Sequence, residues 1–169
     1  RSAALRTGQV HFTGLGTRGL TPSEGERFVR ENPGARTYKV TCPCMGMLAF
    51  DMKQKPFSDV RVRKAALMSY DQRLVGQLAY EGLGGVGAFM LPGLWSLSDA
   101  ELAKMPPTRG GPTAAEVTQA KALLADAGYP QGLKIKFTHS ASTNYDKRAL
   151  GVVEGMKKIG IEATLASLE

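Results

Sequence analysis

The sequence predicts an α/β fold whose carboxyl-terminal part is a βαβ unit. Two segments, LKIKFT from residue 133 and IEATL from residue 161, alternate apolar and polar residues, as half-buried strands do. Between them Gly160 ends a segment whose apolar residues recur at helical spacing: Ala149, Val152, Val153, Met156 and Ile159. A strand, a helix and a strand of these lengths favour a parallel pair joined by a right-handed crossover.

Capping signals place two further helices. Thr21 and Glu24 have the spacing of a capping box with Pro22 at the first helical position, and Thr113 and Glu116 repeat the box. The second of these helices has its apolar stripe at Val117, Ala120, Leu124 and Ala127 and ends at Gly128. Residues 1–8 are predicted to end another helix at Gly8, followed by a short strand at QVHF and an extended segment over 37–50.

One long helix is predicted from Ser58 or Asp59 to Gly82. Its apolar stripe repeats every four residues, with Leu67 alongside: Val62, Ala66, Tyr70, Leu74 and Leu78. The first turns of this helix carry three cations, where the helix dipole disfavours positive charge: Arg61, Arg63 and Lys64. We expect these cations to be solvated or paired with acids such as Asp71, and the helix to make no ligand contact.

Composition excludes some classes of protein and leaves others open. The 169 residues are 43% hydrophobic and 22% charged, which is ordinary for a globular domain, and no apolar run is long enough for a membrane span. The net charge of +7 is scattered rather than clustered, so nucleic-acid binding is not expected. The opening RSAALRTGQV has neither a start methionine nor an apolar run, which suggests a fragment of a longer protein whose signal peptide lies outside it.

Metal and catalytic motifs are weak. Cys42 and Cys44 are too close in sequence for an easy mutual disulfide, and with His11 and His139 they match no common zinc spacing, so we expect ordinary strand residues. A Ser-His triad around His139, with Ser140 or Ser142, would need an unidentified acid, and we expect His139 at the rim or surface.

Residues 82–112 form a long region rich in glycine and proline, which we expect to be functional or to cover part of the domain. Gly82, Gly84 and Gly87 fit the letters of a dinucleotide fingerprint, but a helix precedes them where a strand is needed, so no such site is expected. Trp95 is expected to pack on the core. The sequence therefore predicts no enzyme and no cofactor.

The best candidate for binding lies where the first predicted strand ends. Ligands of open α/β sheets bind beyond the carboxyl ends of the strands, and the helix that follows favours an anion at its start. Residues 139–148 supply hydrogen-bonding side chains there, namely Ser140, Ser142, Thr143, Asn144 and Tyr145. The alternative is that Thr143 and Asp146 simply cap the helix.

Three stretches resemble one family. KPFSDVRVRKAALMSYDQRLV is similar to a P-F-x-D-x-R-V-R-x-A-L segment followed by an Asp-Arg pair, here separated by Gln72. PTAAEVTQAKALLADAGYPQG is similar to an A-K-x-L-L-x-E-A-G-Y-x-x-G segment, and GVVEGMKKIGIEATL to a closing L-K-x-I-G-I element. ALRTGQVHF also resembles an A-L-x-x-G-x-x-D-F stretch, with His11 in place of Asp. In this order they resemble the family 5 extracellular solute-binding proteins of ABC transporters.

The resemblance implies part of a two-lobed periplasmic-binding-protein (flytrap) fold that closes on a solute by hinge motion. Residues 1–36 would form the edge of the first lobe, 37–50 would cross between lobes, and 51–169 would belong to the second lobe. It also implies a periplasmic or membrane-anchored extracellular protein, a small-molecule solute and ABC permease subunits as partners, and no catalytic residues. The implied cleft-lining side chains are Cys42, Cys44, Met45 and Met47, with Ser140, Asn144 and Tyr145.

The apolar first set suggests a solute other than a peptide, or a more apolar one. Two other readings remain open at this point. The chain could be the solute-binding-type sensory domain of a transcriptional regulator, or a small basic α/β nucleic-acid binder.

Overall fold

The structure is a computed structural model, and it describes residues 2–12, 20–38, 46–83, 85–87, 90, 95–141 and 143–168. Eight helices and two strands lie in these residues: α1 Ser2–Arg6, α2 Pro22–Glu31, α3 Val60–Met68, α4 Gln72–Tyr80, α5 Asp99–Leu102, α6 Pro106–Arg109, α7 Ala114–Asp126, β1 Leu133–Ser140, α8 Thr143–Lys157 and β2 Ile161–Leu168. They divide into two compact units, residues 1–46 and 47–169. None of the described helices has the length and apolar character that a bilayer span requires.

The first unit contains α1 and α2. Thr21 and Glu24 form the predicted capping box, and Gly8 takes the left-handed conformation, with φ of 71°, just after α1. The predicted strand at residues 9–12 is wrong, since these residues form no strand. The N–H of Val10 donates instead to the carbonyl of Ala4 at 3.2 Å, so the backbone bonds back to the end of α1.

The single helix predicted up to Gly82 is two helices, α3 and α4. Asp71 ends the continuity, because its carboxylate accepts hydrogen bonds from the N–H groups of Arg73 and Leu74 and so caps a new helix. Because of this break, residues after Asp71 point in other directions than one continuous helix would give them. Part of the predicted apolar stripe is therefore exposed rather than buried. Leu67 and Leu78 are 51% and 40% exposed, whereas the unpredicted Val75 and Ala79 are buried, as predicted Val62 and Ala66 are.

The predicted βαβ unit is confirmed. β1 and β2 pair in parallel, from Leu133 opposite Ile161 to Ser140 opposite Leu168, and α8 connects them. Burial along β1 alternates residue by residue, as its sequence pattern predicts. In the core of residues 47–169, the βαβ unit packs against α3, α4 and α7. Ten buried side chains form this core: Val62, Ala65, Ala66, Val75, Ala120, Leu124, Val152, Met156, Ile159 and Ile161.

Two glycines let α8 approach its neighbours closely. A Cβ on Gly155 would lie 2.3 Å from the carbonyl oxygen of Ser69, and one on Gly151 would lie 2.8 Å from a methyl group of Val75. The two glycines are four residues apart and therefore lie on one face of the helix. This contact fixes α8 against the segment that joins α3 to α4.

The described parts of the Gly/Pro-rich region, 82–83, 85–87, 90 and 95–112, contain α5 and α6. Thr108 is 2% exposed and its hydroxyl donates to the carbonyls of Leu102 and Met105, which ties the two short helices together. Trp95 is 81% exposed, so its predicted packing on the core is wrong. The described residues beside Trp95 form a turn, and not a helix or strand with a buried face that could carry its side chain into the core.

The basic start of α3 is explained by α7. Arg61 makes an ion pair with Asp59 at 2.6 Å and donates to the carbonyl of Asp126, the last residue of α7, at 2.7 Å. A helix carboxyl end favours a cation, so the charge that is unfavourable for α3 is favourable for α7. Arg63 donates to the carbonyls of Phe57 and Ser58. The suggested pairing with Asp71 is wrong, because that carboxylate caps α4.

Candidate functional site

The end of β1 and the start of α8 bring some of the predicted binding residues together. Asn144 and Tyr145 are half-buried and lie in the first turn of α8. Ser140 is the last residue of β1 and is exposed on the face of the strand that also carries Lys134 and Lys136. The structure therefore places Asn144 and Tyr145 side by side, and the Ser140 side chain on the opposite face of the strand from His139.

His139 is more enclosed than the sequence predicts. Because β1 runs on to Ser140, His139 continues the inward series of alternate residues, and its side chain is only 9% exposed. Its Nδ1 atom lies 3.4 Å from a carboxylate oxygen of Asp146 and 3.1 Å from the carbonyl oxygen of Ser140. The expectation of a surface residue is wrong, and a position at the rim of the site stays a prediction. An imidazole on this face does not face the Ser140 hydroxyl, so these two side chains do not form the nucleophile–base pair of a triad.

Sequence reasoning missed an arginine and a tyrosine at this site. The guanidinium carbon of Arg148 lies 5.1 Å from the ring centre of Tyr145 and 5.3 Å from that of Tyr80, within the range of cation–π attraction. The spacing of three residues between Tyr145 and Arg148 could have indicated the first contact. Tyr80 is the last residue of α4, and only the packing of α4 on α8 brings it to Arg148.

The phenols near Arg148 are held neutral. Burial raises the pKa of Tyr80 and of Tyr70, and the positive charge of Arg148 opposes the shift in both pKa values without cancelling it. Neutral phenols present both an O–H donor and a ring face. The site therefore combines one guanidinium, neutral aromatic rings and the amide of Asn144.

Of the other predicted lining residues in the crossing segment, the structure describes only Met47. Cys42, Cys44 and Met45 lie outside the described residues. Met47 is described and is 77% exposed. Within the described segments, no group of three or more His, Cys, Asp or Glu side chains could hold a metal ion.

The sequence profile for bacterial extracellular solute-binding proteins, family 5 Middle, matches residues 1–169. The chain belongs to this family. It is 28% identical over 128 residues to heme-binding protein A of Haemophilus influenzae, and 30% identical over 127 residues to the probable deoxycholate-binding periplasmic protein YgiS of Escherichia coli. These matches cover 72% and 71% of this chain and 22% of each relative, so the chain spans about a fifth of their length.

Solved structures support the same assignment of the fold. The periplasmic binding protein DppA of Helicobacter pylori, in complex with the peptide STSA, matches with a TM-score of 0.67 and 25% identity. The match covers 99% of this chain and 30% of DppA. The predicted fold, part of a two-lobed periplasmic-binding-protein fold, is confirmed. The relatives are binding proteins, in agreement with the prediction that this family member is not an enzyme.

Proposed function

We propose that the full-length protein is the solute-binding component of an ABC import system. It holds a small solute between two lobes, outside the cytoplasmic membrane, and delivers it to permease subunits in that membrane. The observation that carries this proposal is the family match over all of residues 1–169. The protein acts as a receptor without catalysis or a cofactor, and it does not bind nucleic acid.

The proposal includes a division of the chain between the lobes. Residues 1–36 belong to the edge of the first lobe, 37–50 cross between lobes, and 51–169 belong to the second lobe. The separation of compact units between residues 46 and 47 supports a boundary within the crossing segment. A hinge at such a boundary would let the lobes close over the solute.

We place the solute against the start of α8. Asn144 and Tyr145 are half-buried there, at the carboxyl end of β1, where open α/β sheets bind ligands. Ser140 is a further proposed contact, and the crossing segment contributes a second proposed set, Cys42, Cys44, Met45 and Met47. That second set is apolar, which favours a solute with a large apolar part or a peptide with apolar side chains.

The test uses full-length protein stripped of bound solute by unfolding and refolding. Its thermal unfolding is recorded with oligopeptides, heme, deoxycholate, sugars, aromatic acids and nickel. A solute at about 100 times its dissociation constant stabilises the folded protein by roughly 2.7 kcal/mol, a readily measured shift. Asn144→Ala and Tyr145→Ala should reduce this stabilisation. Lys157→Ala, an exposed change at the far end of α8, is the matched control and should leave it unchanged.

The opposite result is equally informative. If no solute shifts the unfolding temperature, and DNA binds with an affinity that falls steeply with salt, the receptor function is wrong. A nucleic-acid binder or a regulator would then explain the basic charge. If both variants are still stabilised by solute as the wild-type protein is, the receptor function is retained and the binding site does not lie at the start of α8.

A further inference from the structure

Arg148 is a half-buried arginine without an acidic partner among the residues that the structure describes. Arg6, Arg61 and Arg109 each make an ion pair, with Glu31, Asp59 and Glu116 respectively. No carboxylate or carbonyl oxygen of the described residues lies within ion-pair or hydrogen-bond distance of Arg148. The residue is half-buried as a whole, and its guanidinium contacts two aromatic rings. A partly desolvated cation without a counter-charge strongly favours an incoming anion.

The position of Arg148 connects it to the proposed solute site. In α8, Arg148 follows Asn144 by four residues and Tyr145 by three. It therefore shares one face of the helix with both of them. Asn144 and Tyr145 lie in the first turn of α8, where the helix dipole adds to the attraction for an anion. The nearby carboxylate of Asp146 faces the imidazole of His139 instead.

Tyr80 and Tyr145 hold the arginine in place. Cation–π contact restrains a long, flexible side chain without using its N–H donors, so less conformational entropy is lost when a ligand binds. The five N–H groups of a guanidinium form a planar fork that matches the two oxygens of a carboxylate. One positive charge also suits a monoanion, whereas a phosphate dianion would require more cations.

Building on the receptor function, we propose that Arg148 is a specificity-determining residue that binds a carboxylate group of the solute. Tyr80 and Tyr145 orient its guanidinium, and Asn144 supplies a further hydrogen bond. The solutes selected are therefore carboxylic acids, and neutral derivatives of the same molecules bind less well.

The experiment compares acids with their neutral derivatives on the full-length protein. The probes are deoxycholate and its methyl ester, and the peptide Ser-Thr-Ser-Ala and its carboxyl-terminal amide, with dissociation constants measured by calorimetry. For a probe that binds, the wild-type protein should prefer the acid by roughly 10- to 100-fold, the range expected for a hydrogen bond to a charged group. Arg148→Gln should abolish this preference by weakening the acid alone. Lys147→Gln removes a neighbouring cation and is the matched control.

The ring contacts are tested separately. Tyr80→Phe keeps the ring and should keep the preference, whereas Tyr80→Leu should reduce it. Thermal unfolding of each variant without solute shows that it is folded. A preference for acids that Arg148→Gln leaves intact, or Lys147→Gln removes equally, overturns the role of Arg148 while the receptor function stands. If none of the four probes and no other solute of the panel binds the wild-type protein, the receptor function fails and this inference with it.

Discussion

The two halves of α8 are built differently. The second half is buried, with Val152 and Met156 6% and 1% exposed and with Gly155 in backbone contact distance of Ser69. In the first half Asn144 and Tyr145 are half-buried and polar. The second half thus anchors the helix in the core. The first half presents polar side chains that do not contribute to the core. A site is most precise when it stands on an element anchored in this way.

Gly155→Ala should destabilise the buried half of α8 markedly. Its Cβ would lie 2.3 Å from the carbonyl oxygen of Ser69, a backbone atom that cannot rotate away. Alanine gains up to about 1 kcal/mol of helix propensity over glycine, but overpacking costs about 1–3 kcal/mol or more, and here it wins. We expect a net loss of about 2 kcal/mol, visible as a lower urea midpoint of the full-length protein.

Two variants control for this result. Glu154→Ala changes an exposed neighbour and should stay within about 0.5 kcal/mol of wild type. Gly151→Ala should fall between them, because its Cβ would lie 2.8 Å from a methyl group of Val75 and 3.3 Å from the nearest backbone atom, a less severe overlap than at Gly155. A fully stable Gly155→Ala protein would mean that α8 does not pack against Ser69 as described.

The two halves should also separate stability from affinity. Met156→Ala empties a fully buried site and should cost about 2–5 kcal/mol of stability, with little change in solute affinity while the protein is folded. Tyr145→Ala should cost less than about 1.5 kcal/mol of stability, because its side chain is half-buried, yet it should weaken solute binding. Unfolding and calorimetry on the same samples measure both. If both variants lose solute affinity equally, the second half of α8 is not only structural and the proposed separation of the two halves is wrong.

Sequence signals correctly predicted those parts of the fold that depend on residues close together in the sequence. The capping boxes at Thr21 and Thr113 and the alternation of β1 are short-range patterns, and each is present in the structure. The helix over 59–82 failed because Asp71 was treated as a surface charge rather than as a cap. An aspartate inside an apolar period is compatible with either role, and tertiary packing decides between them.

The candidate site was predictable only in part. Asn144 and Tyr145 follow from the rule that ligands bind beyond strand ends, which needs nothing but the order of elements. Arg148 and Tyr80 were missed, because their contact depends on how α4 packs on α8 through Gly151. Close helix approach at a glycine leaves no periodic signal in the sequence. The enclosure of the His139 side chain was not predicted, because β1 extends further than its apolar residues indicate.

The start of α3 belongs with the scaffold, and its acid sensitivity tests this. The hydrogen bonds and charge of Arg61 lower the pKa of Asp59 from 3.8 to about 2. Since the folded pKa lies below the unfolded value, the stabilisation is complete above about pH 4 and is lost as the pH falls towards 2. Asp59→Asn should therefore lower the unfolding temperature at pH 6 more than at pH 2.5. An equal shift at both pH values would show that the carboxylate is not paired in the folded protein.

The smallest expected effect is that of the basic turn on solute binding. Arg61 is engaged by Asp59 and the end of α7, and Arg63 by the carbonyls of Phe57 and Ser58, so neither guanidinium is available to a solute. The double variant Arg61→Gln and Arg63→Gln should keep the solute dissociation constant within about twofold, since distant sites act independently. Its stability should fall, because the carbonyl oxygens at the end of α7 lose a cation. A large loss of affinity in a variant that remains folded would place α3 in the binding site, and the division between a structural helix start and a ligand-binding one would then have to be abandoned.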